Sequence, residues 1–356
     1  MSNVVKGSKR DNILRAIRFE KPDYIPMSFC INAACWQFYR QDDLFDLKES
    51  HKFLFPDFKR PPEKYVPHFS TVARKDTPFT DDWGCIWKTT VDGITGTVTG
   101  HPLADWSAFK GYKAPDPEKC MGIGPINWNS VEAYIAQLKE NDDIVYGYLR
   151  HGHTFMQLSD IRGYQNLLFD MADDEPNLRK LIEMVEEFNI SIVNKYLAMN
   201  VDIMAYPEDL GMQKGPMISP NYFKKYIKPS YQRLMKPARS KGVIVHMHSD
   251  GDIHQLIDEL IDGGVEIINL QDLVNGIDWI AGKFAGKVCV ELDIDRQSVT
   301  PFGTPQQIDA LVRKEVCKIG RKNGGLMMIY GLYPGVPLEN IKALMDAMEK
   351  YAFYFN

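Results

Sequence analysis

The sequence lacks the features by which several classes of protein are recognised. Its 356 residues carry a formal net charge of −5, and no basic stripe of the kind found in nucleic-acid-binding proteins is present. No run approaches the ~20 apolar residues of a membrane span, and residues 1–6 lack the apolar core of a signal peptide. We therefore expect a cytoplasmic protein that binds neither nucleic acid nor membranes.

Cysteine motifs and nucleotide-binding loops are also missing. The six cysteines are scattered without a C-x-x-C pair, so neither a zinc ribbon nor a dithiol redox motif is visible. No G-x-G-x-x-G follows a first strand, which argues against a dinucleotide fold. The hydrophobic content of 44% and the charged content of 25% are those of an ordinary globular protein.

From residue 128 onward, short apolar segments alternate with amphipathic ones, which predicts parallel strands separated by helices. The predicted strands are 24–29, 144–148, 201–206, 243–247, 266–270, 288–292 and 325–329, and the main predicted helices are 10–19, 176–199, 219–240, 253–262, 304–319 and 338–353. With an eighth strand near residues 100–125 or hidden by an insertion, the pattern indicates an α/β protein with a (β/α)8 TIM barrel. An open doubly wound sheet is the alternative.

Residues 50–125 interrupt this rhythm, because they are irregular and rich in proline, glycine and aromatic residues. We expect one domain, residues 1–356, in which 50–125 is an elaborated N-terminal insertion that forms a lid over the barrel mouth. A hairpin is predicted within it, with strands at 85–88 and 96–99 around Asp92-Gly93. Trp83 lies here, and its flat indole suits either a planar substrate or surface packing.

The most informative segment is Val243-Ile-Val-His-Met-His248-Ser-Asp250-Gly-Asp252, a buried strand followed at once by ionisable groups. Parallel α/β folds place their chemistry at the carboxyl ends of strands. His248 and Asp250 are therefore leading catalytic candidates, although a capped turn also accounts for an acid such as Asp250. Strand alternation puts His246 on the same side as His248, where a satisfied core histidine is the alternative.

Other predicted strand ends carry further polar and aromatic side chains. They are Arg150, His151 and His153; Tyr206, Glu208 and Asp209; Asn269, Gln271 and Asp272; Glu291, Asp293, Asp295 and Arg296; and Tyr330 and Tyr333. Together they form an acidic, histidine-rich set that suits a divalent metal such as zinc. Each also has a structural explanation: a loop around Gly152, an ion-paired turn at Asp293–Arg296, or an acidic helix start at Glu208–Asp209.

Several stretches resemble the uroporphyrinogen decarboxylase superfamily, in order and nearly end to end. They are residues 12–26, Gly163-Tyr-Gln-Asn-Leu-Leu168, Pro216-Met-Ile-Ser-Pro220, Tyr226-Ile-Lys-Pro229, His248-Ser-Asp-Gly-Asp252 and Pro337-Leu-Glu-Asn-Ile341. The resemblance implies a (β/α)8 barrel. One branch of the superfamily decarboxylates uroporphyrinogen; the other contains corrinoid-dependent methyltransferases, which move a methyl group between a small substrate and the cobalt of a corrinoid protein.

Two departures from the superfamily's patterns decide between its branches. The arginine-rich segment with which the decarboxylases hold porphyrin carboxylates is represented here by residues 32–40, which contain one arginine. The thiol methyltransferases bind zinc through His-x-Cys and a later cysteine, whereas the matching positions here are His248, Asp250 and, near the last, Tyr330. The histidine is kept and both thiolates are missing, which leaves a nitrogen-and-oxygen site.

The resemblance therefore implies an O-demethylase component. It would move a methyl group from a methoxylated aromatic (an aryl methyl ether) to the cob(I)alamin of a corrinoid-binding protein, which supplies the corrinoid because no Asp-x-His-x-x-Gly motif is present in this chain. Catalytic roles are expected for His248, Asp250, Glu208, Tyr206 and Tyr330, and the ligands of a zinc ion, if one is held, for His248, Asp250 and Glu208. Substrate contacts are expected from His151, His153, His246, Asp293, Arg296, Tyr333 and Trp83. A uroporphyrinogen decarboxylase-like lyase and a catalytically idle binding subunit are the alternatives.

Overall fold

Strands and helices alternate along most of the chain in the computed structural model, which describes residues 7–356. The expectation about residues 1–6 lies outside the described residues. Seven strands form the main sheet: β1 (Met27–Ile31), β5 (Tyr146–Tyr148), β6 (Ile203–Asp209), β7 (Ile244–Asp250), β8 (Ile267–Gln271), β9 (Cys289–Asp293) and β10 (Leu326–Leu332). Three more form a small antiparallel sheet: β2 (Phe79–Thr80), β3 (Ile86–Lys88) and β4 (Thr97–Gly100).

The main sheet has the strand order β1-β10-β9-β8-β7-β6-β5, and the registers of β1 with β10, β10 with β9, β5 with β6 and β6 with β7 are all parallel. All seven strands predicted from the apolar segments are confirmed. The prediction of an eighth strand of this sheet near residues 100–125 is wrong. After the end of β4, that stretch contains a 3-10 helix at Trp106–Gly111 and one isolated bridge between Cys120 and Pro125. Pro115 and Pro117 lack the N–H that a ladder requires.

The helices follow the strands as the sequence predicts. They are α1 (Lys9–Ile17), α2 (Cys35–Phe38), α3 (Gln41–Ser50), α4 (Trp128–Glu140), α5 (Phe155–Arg162), α6 (Tyr164–Asp173), α7 (Pro176–Ala198), α8 (Pro220–Tyr222), α9 (Lys228–Ser240), α10 (Ile257–Asp262), α11 (Asp272–Asn275), α12 (Ile277–Phe284), α13 (Val299–Phe302), α14 (Pro305–Ile319) and α15 (Leu338–Ala352). A 3-10 turn lies at Thr71–Ala73, and a π-helical turn, Phe223–Ile227, connects α8 to α9. Within residues 7–356, none of the helices is long and apolar enough to span a bilayer.

Local sequence explains where these helices begin. The side chain of Thr304 accepts from the N–H of Gln307, whose side chain accepts from the N–H of Thr304, and Pro305 fills the first turn of α14. The apolar stripe of α15 is buried at Ile341, Leu344, Met345 and Met348, so this stripe belongs to the core. Burial of each such side chain contributes roughly 2 kcal/mol to the free energy of folding.

The described chain divides into two compact units. We call residues 7–76, Thr89–Thr95 and Leu270–Asn356 the terminal unit, and Thr77–Lys88 with Gly96–Asn269 the central unit. The predicted 50–125 insertion is divided between them, and its role as a lid stays a prediction. The hairpin predicted within it is confirmed, since β3 and β4 pair antiparallel with Trp87 opposite Val98.

In the central unit, the register between β6 and β7 decides which side chains share a face. Ala205 pairs with His246, Pro207 with His248 and Asp209 with Asp250. Side chains alternate along a strand and paired residues of parallel strands point to the same side. His246, His248, Asp250 and Asp209 therefore lie on one face of the sheet, and Tyr206 and Glu208 lie on the other.

A close backbone contact follows the ends of these two strands. The N–H of Gly211 donates to the carbonyl oxygen of Asp250 at 3.2 Å. Gly251 has a φ of +80°, and a Cβ atom there would overlap the carbonyl group of Gly211. Glycine at both positions thus lets the backbone after Asp209 approach the backbone after Asp250.

We expect Gly251→Ala to lower the free energy of unfolding by at least ~3 kcal/mol, because it adds backbone overlap to the cost of a left-handed conformation. Gly242→Ala is the matched control. Its φ is +70°, but nothing lies within 4 Å of the added Cβ, so this variant should lower the free energy of unfolding by only about 1 kcal/mol. Urea unfolding of both variants measures the difference. Equal losses in the free energy of unfolding for the two variants would show that the close contact with Gly211 does not contribute to stability.

Candidate functional site

The ends of β6 and β7, with the loop after β5, bring two histidines and two aspartates together in the central unit. The Nε2 atom of His151 lies 3.4 Å from Oδ1 of Asp209, and Nε2 of His248 lies 3.5 Å from the same oxygen. Oδ1 of Asp250 lies 3.8 Å from Nε2 of His248. The two imidazole rings have centroids 5.5 Å apart. We call these four residues the histidine–aspartate cluster.

The orientation of His248 is fixed from its other ring nitrogen. The Nδ1–H of His248 donates to the amide oxygen Oδ1 of Asn269 on β8. An amide oxygen accepts only, so Nδ1 carries the hydrogen and Nε2 is the atom directed at Asp209. Asn269 therefore holds the imidazole for whatever chemistry takes place at Nε2.

The charges within the cluster stabilise one another. Burial would lower the pKa of His248, but the hydrogen bond to Asp209 and the charges of Asp250 and Asp209 outweigh it and raise this pKa to about 9. Burial acts to raise the pKa of Asp209, yet His151 and His248 bring it well below its usual range. At neutral pH without a metal, the pair is therefore an imidazolium and a carboxylate.

The same atoms fit a divalent cation. One ligand atom from each of His151, Asp209 and His248 lies within 4.8 Å of the other two. A tetrahedral zinc ion with ligands at ~2.1 Å holds its ligand atoms roughly 3.4 Å apart, close to the two separations measured around Asp209. Two imidazoles and one carboxylate also form an ordinary catalytic zinc set that leaves a position for substrate.

Asp209 is among the strand-end residues that the sequence predicts, but not among the predicted metal ligands. Beside His248, the predicted ligands were Asp250 and Glu208, whereas the carboxylate between the two imidazoles is that of Asp209. Strand alternation separates Asp209 from Glu208, but only the register between β6 and β7, in which Asp209 pairs with Asp250, places Asp209 beside His248. Glu208, one residue earlier, faces the other way.

Glu208 has its oxygens occupied on that opposite face. Its carboxylate is fully buried and accepts from the backbone N–H groups of Thr154 and Phe155 at 2.9 Å and of Met156 at 3.1 Å. It also accepts from the hydroxyl of Tyr231 at 2.8 Å. Burial raises the pKa of Glu208, and these four donors oppose the rise. Glu208 thus caps the first turn of α5, and its catalytic and metal-binding roles stay predictions.

Two other predicted site residues of the central unit are part of its packing. Tyr206 is fully buried, and its hydroxyl donates to the carbonyl oxygen of Leu234 at 2.9 Å. Trp83 is only 2% exposed and packs edge-on against Phe188. Contact of either side chain with a substrate stays a prediction that this packing does not itself support.

The other two histidines predicted to belong to the site differ in their surroundings. His153 is buried, with its Nδ1 2.6 Å from the hydroxyl of Thr154, and its pKa falls to about 3 through burial and the nearby charges of His151 and Arg150. It is therefore neutral at physiological pH. His246 shares the face of His248, where its ring lies edge-on to Tyr146 at 6.4 Å.

In the terminal unit, three of the predicted site residues lie together. The guanidinium of Arg296 donates to Oδ2 of Asp293 at 2.6 Å and lies 5.6 Å from the ring of Tyr333. Tyr330 belongs to the other face of β10, because Asp293 pairs with its neighbour Ile329.

Tyr330 is held in the interior of the terminal unit. Its hydroxyl lies 3.1 Å from that of Thr300, and burial raises its pKa to about 12. The centroid of its ring lies 5.2 Å from that of the Phe29 ring. Tyr330 is therefore a neutral hydroxyl with a partner, and its catalytic role stays a prediction.

Substitution of Glu208 distinguishes a structural role of this carboxylate from a catalytic one. We expect Glu208→Ala to lower the free energy of unfolding by about 3 kcal/mol, because four donors lose their buried acceptor. Asp209→Asn, one residue away on the opposite face, should cost less, about 1–2 kcal/mol, because its amide oxygen still accepts from the backbone N–H of Asp250 and the cluster is partly open to solvent. Chemical denaturation measures both. Unchanged stability of Glu208→Ala with lost activity would make Glu208 catalytic instead.

Comparisons with known proteins agree with this architecture. The uroporphyrinogen decarboxylase (URO-D) family matches residues 148–351, more than half of the chain. A uroporphyrinogen decarboxylase of Thermus thermophilus is 26% identical over 141 residues, and one of Prochlorococcus marinus is 22% identical over 263 residues, or 71% of this chain and 70% of the relative. The match with the T. thermophilus protein spans only 38% of the length of either protein.

A solved structure shares the fold along nearly the whole chain. A methyltransferase from Methanosarcina mazei superposes with a TM-score of 0.68 at 17% identity, covering 97% of this chain and 99% of that one. At 17% identity the structural match shows the fold alone. The assignment of the chain to a family rests on the family match over residues 148–351. Because the family match covers more than half of the residues of this chain, the chain belongs to the uroporphyrinogen decarboxylase family.

Proposed function

We propose that the protein is a methyltransferase that moves a methyl group from a methoxylated aromatic to the cob(I)alamin of a partner corrinoid protein. The observation that carries the proposal is the histidine–aspartate cluster at the carboxyl ends of β6 and β7. Membership of an enzyme family and the fold shared with a methyltransferase support it. The aryl ether donor and the corrinoid acceptor go beyond these comparisons and are part of the proposal.

The cluster meets the main chemical requirement of this reaction. Cob(I)alamin supplies the electron pair of the new cobalt–carbon bond, and the pair of the broken carbon–oxygen bond goes to the aryl oxygen. A phenolate leaves poorly unless its oxygen is protonated or bound by a Lewis acid. In its imidazolium form, His248 donates the Nε2 proton to that oxygen, while Asn269 holds the ring and Asp209 and Asp250 stabilise its charge.

The cluster also has a metal-dependent alternative. A zinc ion held by His151, Asp209 and His248 would supply Lewis acidity at the leaving oxygen. Nε2 of His248 cannot carry a proton and ligate a metal at the same time, so the two modes exclude one another. The metal content of active protein decides between them.

A uroporphyrinogen decarboxylase-like lyase is the second candidate, favoured by the family match and by the names of the relatives. A substrate with many carboxylates needs a basic cavity. The cluster instead offers two carboxylates, and the neighbouring Arg150 is buried and paired with Asp160 at 3.2 Å. This charge pattern favours the methyltransferase.

The metal-dependent mode predicts that the purified protein binds zinc through the cluster. His151→Asn, Asp209→Asn and His248→Asn should each lower zinc affinity by more than the roughly 10–100-fold that loss of an outer-shell partner costs, and Asn269→Ala should fall within that range. His246→Asn, on the same face but outside the ligand set, is the control. Competition with a chromophoric chelator measures the affinities. Full zinc affinity in all three ligand variants would leave only the metal-free mode.

An anaerobic spectrophotometric assay tests the function itself. Cob(I)alamin, free or on a corrinoid protein, is mixed with the protein and a panel of methoxylated aromatics, and formation of the methylated cobalamin is followed. We expect methylation from one class of aryl ether, and a loss of at least ~100-fold in turnover for Asp250→Asn with an unchanged melting temperature. The measurement is repeated after chelator treatment.

The other outcomes of this assay are equally informative. Carbon dioxide release from a porphyrinogen, without methylation by any donor, would establish the lyase. If Asp250→Asn loses stability but keeps its turnover, Asp250 is a structural cap, and the acid function must reside in His248 and Asp209 alone.

A further inference from the structure

A pocket in the terminal unit combines aromatic walls with the ammonium group of a lysine. Its volume is about 420 Å³, within the range of small-molecule sites. Two lysines, Lys48 and Lys59, line it, and no acidic residue does. The aromatic lining consists of Phe29 from β1 and five residues of the segment that follows: Trp36, Phe45, Phe55, Phe58 and Tyr65.

Lys48, on α3, is the distinctive residue of this pocket. Its Nζ atom lies 4.1 Å from the centroid of the Phe58 ring, 5.2 Å from that of Phe55 and 5.9 Å from that of Trp36. No carboxylate within residues 7–356 forms an ion pair with it. Burial alone lowers the pKa of Lys48.

The acids of the same helix are engaged elsewhere. The guanidinium of Arg60 forms ion pairs with Asp42, Asp46 and Glu49, all on α3. These pairs leave Lys48 as the cation of this helix that faces the aromatic pocket without a counter-charge. Contact with ring faces compensates only part of the cost of burying an ammonium group.

We propose that this pocket binds a small aromatic carboxylate, with the ring against Trp36, Phe55 and Phe58 and the carboxylate on Lys48. A carboxylate supplies the missing counter-charge through a charge-assisted hydrogen bond, and a planar ring matches the aromatic walls. A saturated acid lacks the second feature and a neutral aromatic lacks the first. The structural alternative is that the stem of Lys48 only covers the rings.

Calorimetric titration of the full-length protein with three probes tests the proposal. We expect 4-methylbenzoate to bind at least ~10-fold more tightly than 4-methylbenzamide, which has the same shape without the charge. Cyclohexanecarboxylate, which has the charge without the aromatic ring, should also bind more weakly. Lys48→Met keeps the apolar stem and should abolish the preference for the acid over the amide.

Lys52→Met is the matched control, because the Nζ atom of Lys52 lies 5.9 Å from the same Phe58 ring but Lys52 does not line the pocket. This variant should keep the full preference. Equal binding of acid and amide by the unaltered protein, or a preference that survives in Lys48→Met, would overturn the proposal. The probes carry no methoxy group and the titrations contain no corrinoid, so their outcome does not depend on the methyl transfer proposed above.

Discussion

The backbone contact between Gly211 and Gly251 is the constraint on which the rest of the site depends. It holds the chain after β6 against the chain after β7, just beyond the last paired residues, Asp209 and Asp250. In that register Asp209 and Asp250 point to the same face of the sheet as His248. A slip of one residue would turn Asp209 to the opposite face of the sheet, away from the two imidazoles.

Two adjacent acids show how completely this register separates structure from chemistry. Glu208 is buried on one face, where four donors hold it and burial raises its pKa. Asp209 lies on the other face, where two histidines lower its pKa. The same side-chain chemistry thus serves as a helix cap at one position and as a charged site group at the next.

Much of this could be predicted from the sequence, because it is local. The seven strands follow from short apolar runs, and the placement of His246 with His248 follows from period-two alternation. The pairing of Asp209 with His151 and His248 required the register between strands, which no local pattern contains. The burial of Trp83 depends on Phe188, which is distant in sequence. The isolation of Lys48 depends on how residues 55–60 fold against α3. Composition alone therefore favoured a substrate-facing indole and gave no signal for the lysine.

Zinc K-edge X-ray absorption on the zinc-loaded protein measures whether His151, Asp209 and His248 form one nitrogen-and-oxygen site. We expect nitrogen and oxygen ligands at about 2.0–2.1 Å, with the outer scattering of imidazole rings. Sulfur at about 2.3 Å would contradict it, since it would place the metal on cysteine thiolates and away from the ends of β6 and β7.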